Sequence, residues 1–195
     1  ANSDTLRHIT SFYKYFDFID QQQPIEFISN SLFSNDLILK LKNGSIYTSQ
    51  LVMDCNTGEW TRKFVKPSFD DLYMNQHLSI VQIECGLLHA LFLANNGTCY
   101  SSGSNNNGQC GLGYCSRTES KIKIIPAFIA EKVCIVSVSC GSHHSCGVDE
   151  DGNLWAWGLN TNQQCSIAPS DASVVAKPLL NYTNAVRIVK AECGD

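Results

Sequence analysis

Six cysteine and histidine residues stand closely enough in the sequence to suggest metal binding or nucleophilic catalysis. They are Cys85, His89, Cys140, His143, His144 and Cys146. Structural zinc sites usually contain closely spaced cysteine pairs, whereas the close pair Cys110 and Cys115 has no second pair at matching spacing. A Cys–His nucleophile needs a thiolate beside a base, but 10 cysteines and 5 histidines allow many accidental pairs.

No established catalytic pattern accompanies these residues. The sequence contains no Gly-x-Ser-x-Gly elbow and no Walker motif. The glycine-rich stretch at residues 108–113 follows a strand pattern, but the helical pattern that a phosphate-binding loop needs does not come after it. We therefore predict a protein that is not an enzyme and that holds no metal and no cofactor.

The cysteines and histidines recur because the chain contains repeats. Residues 80–86, 135–141 and 188–194 each begin with Ile-Val and end with Cys-Gly. Two copies continue with a histidine, an Asn-Gly or Asp-Gly pair and a final glycine, which predicts a structural role for Cys85, Gly86, His89, Gly97, Gly103, Cys140, Gly141, His144, Gly152, Trp157 and Gly158. A ligand set would not recur in this way, so we expect both repeat histidines to be buried and bonded to neighbouring backbone.

Each repeat has the pattern of a small antiparallel sheet. Asn96-Gly97 and Asp151-Gly152 favour type I′ hairpins, in which both central residues take positive φ. An Ile-Val strand precedes each hairpin, and residues 121–125 alternate as a fourth strand that Pro126 ends. A degraded earlier copy surrounds Asn43-Gly44. Four strands in about 50 residues are typical of a β-propeller blade.

Composition narrows the class of protein further. The chain has 195 residues, 44% of them hydrophobic and 16% charged, with a net charge of −4. These values predict a packed core and argue against a cationic nucleic-acid-binding protein. The apolar runs are shorter than the ~18 residues of a membrane span. Several cysteines lie in apolar strand patterns, so we expect reduced thiols and a nuclear or cytoplasmic location.

These motifs resemble the repeats of the regulator of chromosome condensation family. The family pattern joins a strand ending in Cys-Gly, x-x-His, an Asn/Asp-Gly hairpin, an aromatic-x-Trp-Gly strand and a Gly-Gln-Leu-Gly-x-Gly loop. Residues 80–113 carry nearly all of it, with Ser102 in the tryptophan position, while the second copy keeps Trp157-Gly158 and lacks the glycines after Asn160.

The resemblance implies an all-β fold, a β-propeller of seven blades of which three to four are visible in this chain. Residues 25–78 are predicted to be a degenerate blade with an insertion, residues 79–133 and 134–187 two further blades, and residues 188–195 the start of the next. An open arc would expose a sheet edge. We therefore expect a fragment, missing connecting residues or closure by another chain.

The stretch before the first blade has a different pattern. Apolar side chains recur within residues 1–24 at three- and four-residue steps, which suggests a short N-terminal helix. We expect this segment to dock against a blade. A degraded blade strand and a partner-binding aromatic patch are the alternatives.

The turns between Cys-Gly and His vary between copies, although the strands around them do not. Loops on a rigid scaffold commonly carry binding residues, which makes the variable positions the predicted partner-binding residues: Leu87, Leu88, Ser142, His143 and Asp195. In the family's exchange factor for the GTPase Ran, acidic and histidine residues of these turns face the GTPase. His143 and Asp195 match that pattern, and the two leucines do not.

The resemblance implies a non-catalytic scaffold for protein–protein interaction, with an adaptor role in a chromatin or ubiquitin pathway. The alternative is a guanine-nucleotide exchange factor for a Ran-like small GTPase. In both cases the partner is a protein, without sequence-specific nucleic acid and without a membrane.

Overall fold

A computed structural model describes the chain over residues 25–30, 37–53, 60–67, 69, 78–165, 174–182 and 187–194. The predicted N-terminal helix and Asp195 lie outside these ranges. The described residues form strands and one short helix, namely β1 Ile25–Asn30, β2 Leu37–Leu41, β3 Ile46–Met53, β4 Trp60–Val65, β5 Ile80–Cys85, β6 His89–Ala94, β7 Cys99–Asn105, β8 Ser116–Ile124, α1 Pro126–Ala130, β9 Ile135–Cys140, β10 His144–Asp149, β11 Leu154–Leu159 and β12 Val174–Tyr182.

The strands form three four-stranded sheets, each made of consecutive strands. Their orders are β1-β2-β3-β4, β5-β6-β7-β8 and β12-β11-β10-β9. The chain divides into two compact units, one of Ala1–Ile28 with Asp36–Pro67 and the other of Ser29–Asn35 with Ser68–Asp195. The second and third sheets both belong to the second unit. Four strands that follow one another in sequence and in space make the blade of a propeller, as the repeats predict.

The hairpin turns differ in type from the prediction. Gly97 has a φ of 80°, but positive φ outside glycine occurs in the described residues only at Lys132 and Gln163. The amide of Ala94 donates to the Thr98 carbonyl at 2.9 Å, and the Gly97 amide donates to the Ala94 carbonyl at 3.0 Å. The loop is therefore a three-residue turn closed by a glycine bulge. Type I′ was the wrong prediction because Asn-Gly also suits this loop, in which only the glycine needs positive φ.

The fourth strand of the second sheet extends further back than its alternation indicated. β8 contains most of the predicted strand and begins at Ser116. Pro126 then starts α1, because the first helical position needs no amide donor. No helix in the part of the chain that the structure describes combines the length and apolar character needed to cross a membrane.

One hydrophobic cluster joins the second and third sheets. Phe128 of α1 is buried between them, with its ring edge-on to Trp155 at 5.6 Å and to Trp157 at 5.8 Å between centroids. The other buried members come from both sheets and their connections: Leu91, Leu93, Cys99, Ile125, Ile135, Val138, Ala156, Cys165 and Val175. A shared core of this kind makes the two sheets a rigid support for the turns at their edges.

Candidate functional site

The Cys-Gly-x-x-His turns of successive repeats contact one another. A Cβ added to Gly86 would collide with the Gly141 carbonyl oxygen, and one added to Gly141 would meet the Gly194 carbonyl at 2.5 Å. The Leu87 amide donates to the Ser142 carbonyl at 3.3 Å. Glycine is required in these turns because the backbone of the next repeat occupies the space of its side chain.

This contact brings four of the predicted partner-binding residues together. Leu88 is 39% exposed, and Leu87, Ser142 and His143 beside it are half-buried. We call residues 86–88 and 141–143 the turn face. Asp195, the fifth predicted residue, lies outside the described residues.

Residues near the ends of β7 and β11 contact the backbone of the turn face and hold it in place. Gly103 has a φ of 102°, and a Cβ there would lie 2.5 Å from the Leu88 carbonyl oxygen and 2.7 Å from the His89 Cα. The Ser104 amide donates to that carbonyl at 2.7 Å, and the Leu159 amide donates to the His143 carbonyl at 2.9 Å in the next repeat. Gly158, with a φ of 105°, contacts His144 in the same way.

His89 is buried as predicted, but its partner is not local backbone. The side chain is 3% exposed, and its Nε2 lies 2.9 Å from the Ser145 hydroxyl in the third sheet. Its ring packs against Gly86, and the ring of the half-buried His144 packs against Gly141. Position 145 of the next repeat corresponds to Ala90 in the first, so the repeat pattern contained no sign of this bond.

Burial determines the charge of His89. Removal from water lowers the pKa of His89 to about 3, and the neighbouring His143 and His144 add repulsion in the same direction. The imidazole is therefore neutral at neutral pH and serves as a hydrogen-bonding group inside the junction between two sheets.

The backbone carbonyl of Gln109 is a second hydrogen-bonding group at the junction between the two sheets. It accepts hydrogen bonds from the Ser145 hydroxyl at 2.9 Å and from Trp157 Nε1 at 2.8 Å. Gln109 itself is fully buried. A glutamine at the same place in both copies, Gln109 and Gln164, was the signal that could have identified it.

The remaining repeat residues link each repeat to the one before it. The Cys140 thiol lies 3.5 Å from the Glu84 carbonyl and the Cys193 thiol 3.6 Å from the Ser139 carbonyl. The amide of Ile135 donates to the Gly97 carbonyl, as that of Ile188 does to Gly152, both at 3.1 Å. These cysteines and hairpin glycines hold adjacent repeats together.

The described cysteines form no disulfides with one another, and no group of three metal-ligating side chains comes together within the described residues. Cys85 is half-buried and Cys110 buried. Cys115 is exposed and lies just before β8. The turn face offers apolar contact through leucine and hydrogen bonding through serine and histidine.

Comparison with known proteins identifies the repeats. The regulator of chromosome condensation (RCC1) repeat matches residues 80–109 and 135–164 in one description of the family and residues 96–148 in a second. Protein pim1 of Schizosaccharomyces pombe is 35% identical over 104 residues, which are 52% of this chain and 19% of that protein. The human X-linked retinitis pigmentosa GTPase regulator is 36% identical over 83 residues, 43% of this chain and 8% of that protein. The chain thus spans less than a fifth of the length of these relatives.

Solved structures show the same fold. Prp20p from Saccharomyces cerevisiae superposes with a TM-score of 0.67 at 18% identity, over 87% of this chain and 42% of that one. Human WBSCR16 superposes with a TM-score of 0.65 at 22% identity, over 82% of this chain and 40% of that one. Residues 80–164 of this chain are regulator of chromosome condensation repeats, folded as blades of a β-propeller.

Proposed function

We propose that the chain is a non-catalytic propeller scaffold that binds a protein partner through the turn face. The observation that carries this proposal is the pairing of the two turns by the bond from the Leu87 amide to the Ser142 carbonyl. It places the turn that carries the exposed Leu88 against the turn that carries the half-buried His143. In protein interfaces a few residues in well-packed, desolvated positions carry most of the binding energy.

The chemistry of the turn face favours an apolar contact on the partner. Leu87 and Leu88 would be covered by apolar side chains, while His143 would meet a polar group at the rim. An adaptor role in a chromatin or ubiquitin pathway, in the nucleus or cytoplasm, fits the relatives. One of them, with 28% identity over 120 residues, is named a probable E3 ubiquitin-protein ligase, human HERC6. The report on Prp20p describes its binding to histones.

A second candidate function is guanine-nucleotide exchange on a Ran-like GTPase. Two observations favour it, the histidine at position 143 of the turn face and the likeness to Prp20p, whose report also describes binding to Gsp1p. Such a scaffold would act by displacing the nucleotide, without making or breaking bonds. Leu87 and Leu88 favour the adaptor role, because they are apolar where the turns of the family's exchange factor carry acidic and histidine residues.

Affinity capture of a partner, followed by amide hydrogen-exchange measurements on the complex, tests the proposal. The chain would capture partners from nuclear extract, and amide hydrogen exchange would then be measured with the purified partner bound. We expect slower exchange at residues 86–88 and 141–143 and no change in α1. The helix lies beside the Asn96-Gly97 hairpin, at the other end of β6 and roughly 17 Å from the turn face. Protection confined to α1 would exclude the turn face as the site.

A nucleotide-release assay on Ran separates the two candidate functions. The adaptor role predicts no acceleration of nucleotide release by the chain. Acceleration, together with protection of the turn face by Ran, would establish the exchange function instead.

A further inference from the structure

Two thiols approach each other at the junction between the third sheet and the 187–194 segment. Cys146 Sγ on β10 and Cys193 Sγ are 3.3 Å apart, although 47 residues separate them in the sequence. In the preceding repeat, Leu91 occupies the position of Cys146 and packs in the same core cluster as Cys140. The repeat pattern therefore explains Cys193, but it does not explain the cysteine opposite it.

The surroundings of the two thiols differ, and the difference favours Cys193 as the thiol that reacts first and Cys146 as the one that reacts second. Cys146 is 7% exposed, whereas Cys193 is half-buried. Cys193 is held in place because its amide donates to the Ser139 hydroxyl at 3.0 Å. The hydrogen-bonding contact with Cys146 lowers the pKa of the Cys193 thiol well below its ordinary value, with His144 adding to the effect. The thiolate is the reactive form of cysteine.

We propose that Cys146 and Cys193 are a redox pair that closes to a reversible disulfide on reaction with a peroxide. The Cys193 thiolate attacks one peroxide oxygen, the O–O bond breaks, and the hydroxide released takes up a proton to become water. Cys193 is then a sulfenic acid. The Cys146 sulfur attacks Cys193, the S–O bond breaks, and the oxygen leaves as a second water with the Cys146 proton. Two thiols are oxidised by two electrons, and the peroxide is reduced.

The two sulfur atoms already lie close to bonding distance. A disulfide has a sulfur–sulfur distance near 2.05 Å, so the two atoms must approach by about 1.3 Å. The disulfide would link β10 covalently to the 187–194 segment. It would lie close to His144, the first residue of β10.

Peptide mapping of the oxidised chain tests the proposal. The folded protein would be treated with hydrogen peroxide, alkylated and digested without reductant, and compared with C146L and C193S proteins. C146L is the matched variant, because leucine is the residue of the preceding repeat at this position. C115S serves as a second control, since it removes an exposed thiol elsewhere.

We expect a peptide linked through Cys146 and Cys193 to be the dominant product in wild-type and C115S proteins. The linked peptide should be absent from C146L and C193S. It should also disappear when dithiothreitol is added. The oxidised wild type should unfold at a temperature about 5 °C or more above the reduced form, and C146L should show no such rise. Oxidation of Cys115 with both junction thiols still free would overturn the proposal. An equal yield of the linked peptide from protein denatured before oxidation would also overturn it.

Discussion

At the scale of single residues, the Ser145 hydroxyl joins two buried groups of the preceding repeat, one on β6 and one in the connection between β7 and β8. It lies 2.9 Å from His89 Nε2 and donates to the Gln109 carbonyl at 2.9 Å. Ser145→Ala should lower the free energy of unfolding by ~1–3 kcal/mol, because the buried imidazole loses its partner. Urea unfolding measures the change. Thr118→Ala, on an exposed position of β8, should cost less than ~0.5 kcal/mol, and equal losses in the two variants would contradict this role.

His89 also makes stability depend on pH. Its pKa is lowered to about 3 in the folded state, so between about pH 6.5 and 3 the unfolded chain binds a proton that the folded chain does not. The free energy of unfolding should therefore fall as the pH drops through this range, by roughly 2 kcal/mol between pH 7 and 5 from this one group. His89→Gln should weaken that dependence in urea titrations at several pH values. Identical slopes for both proteins would show that His89 is not the group responsible.

At the scale of elements, the contact between hairpin and turn determines where glycine is needed. Gly103 combines a φ of 102° with backbone atoms at 2.5 Å from the position of a Cβ, whereas Gly113 has a φ of 86° and open space around it. Gly113→Ala should cost about 1 kcal/mol from backbone strain alone. Gly103→Ala should cost about 3 kcal/mol or more, because the Leu88 carbonyl must also move. Thermal or urea unfolding of both variants checks the difference, and equal losses would mean that the hairpin does not support the turn.

The elements also show what sequence patterns can and cannot predict. Alternation around Asn96-Gly97 and Asp151-Gly152 located the hairpins, since the side chains there repeat with the period of a strand. The turn type was missed because the same two residues suit two different loops. The start of β8 was missed because Ser116 and the polar residues after it do not alternate apolar with polar. His89 was predicted to be buried, but its partner Ser145 is 56 residues away and has no counterpart in the other copy.

At the scale of the whole chain, the three copies that begin at residues 80, 135 and 188 are joined by the same contacts. Gly86 meets Gly141 as Gly141 meets Gly194, and the thiol of each later Cys-Gly pair reaches a carbonyl of the previous repeat. Stability in such proteins is a sum of repeats and their interfaces. The repeat period therefore predicted the residues that build the scaffold. It did not predict which residues occupy the turn face, because the copies differ there.

The central claim, that the turn face binds a protein partner, is tested most directly by titrating the captured partner against two variants of the chain. The first is the double variant Leu88→Asp with His143→Ala, and the second is Ile129→Asp in α1. Ile129 is a matched control because it is 41% exposed and Leu88 is 39% exposed. Both proteins should keep the wild-type unfolding midpoint. We expect the double variant to bind at least tenfold more weakly, a loss of about 1.4 kcal/mol or more, and Ile129→Asp to bind like wild type. Full binding by the double variant, or loss of binding only in Ile129→Asp, would contradict the claim.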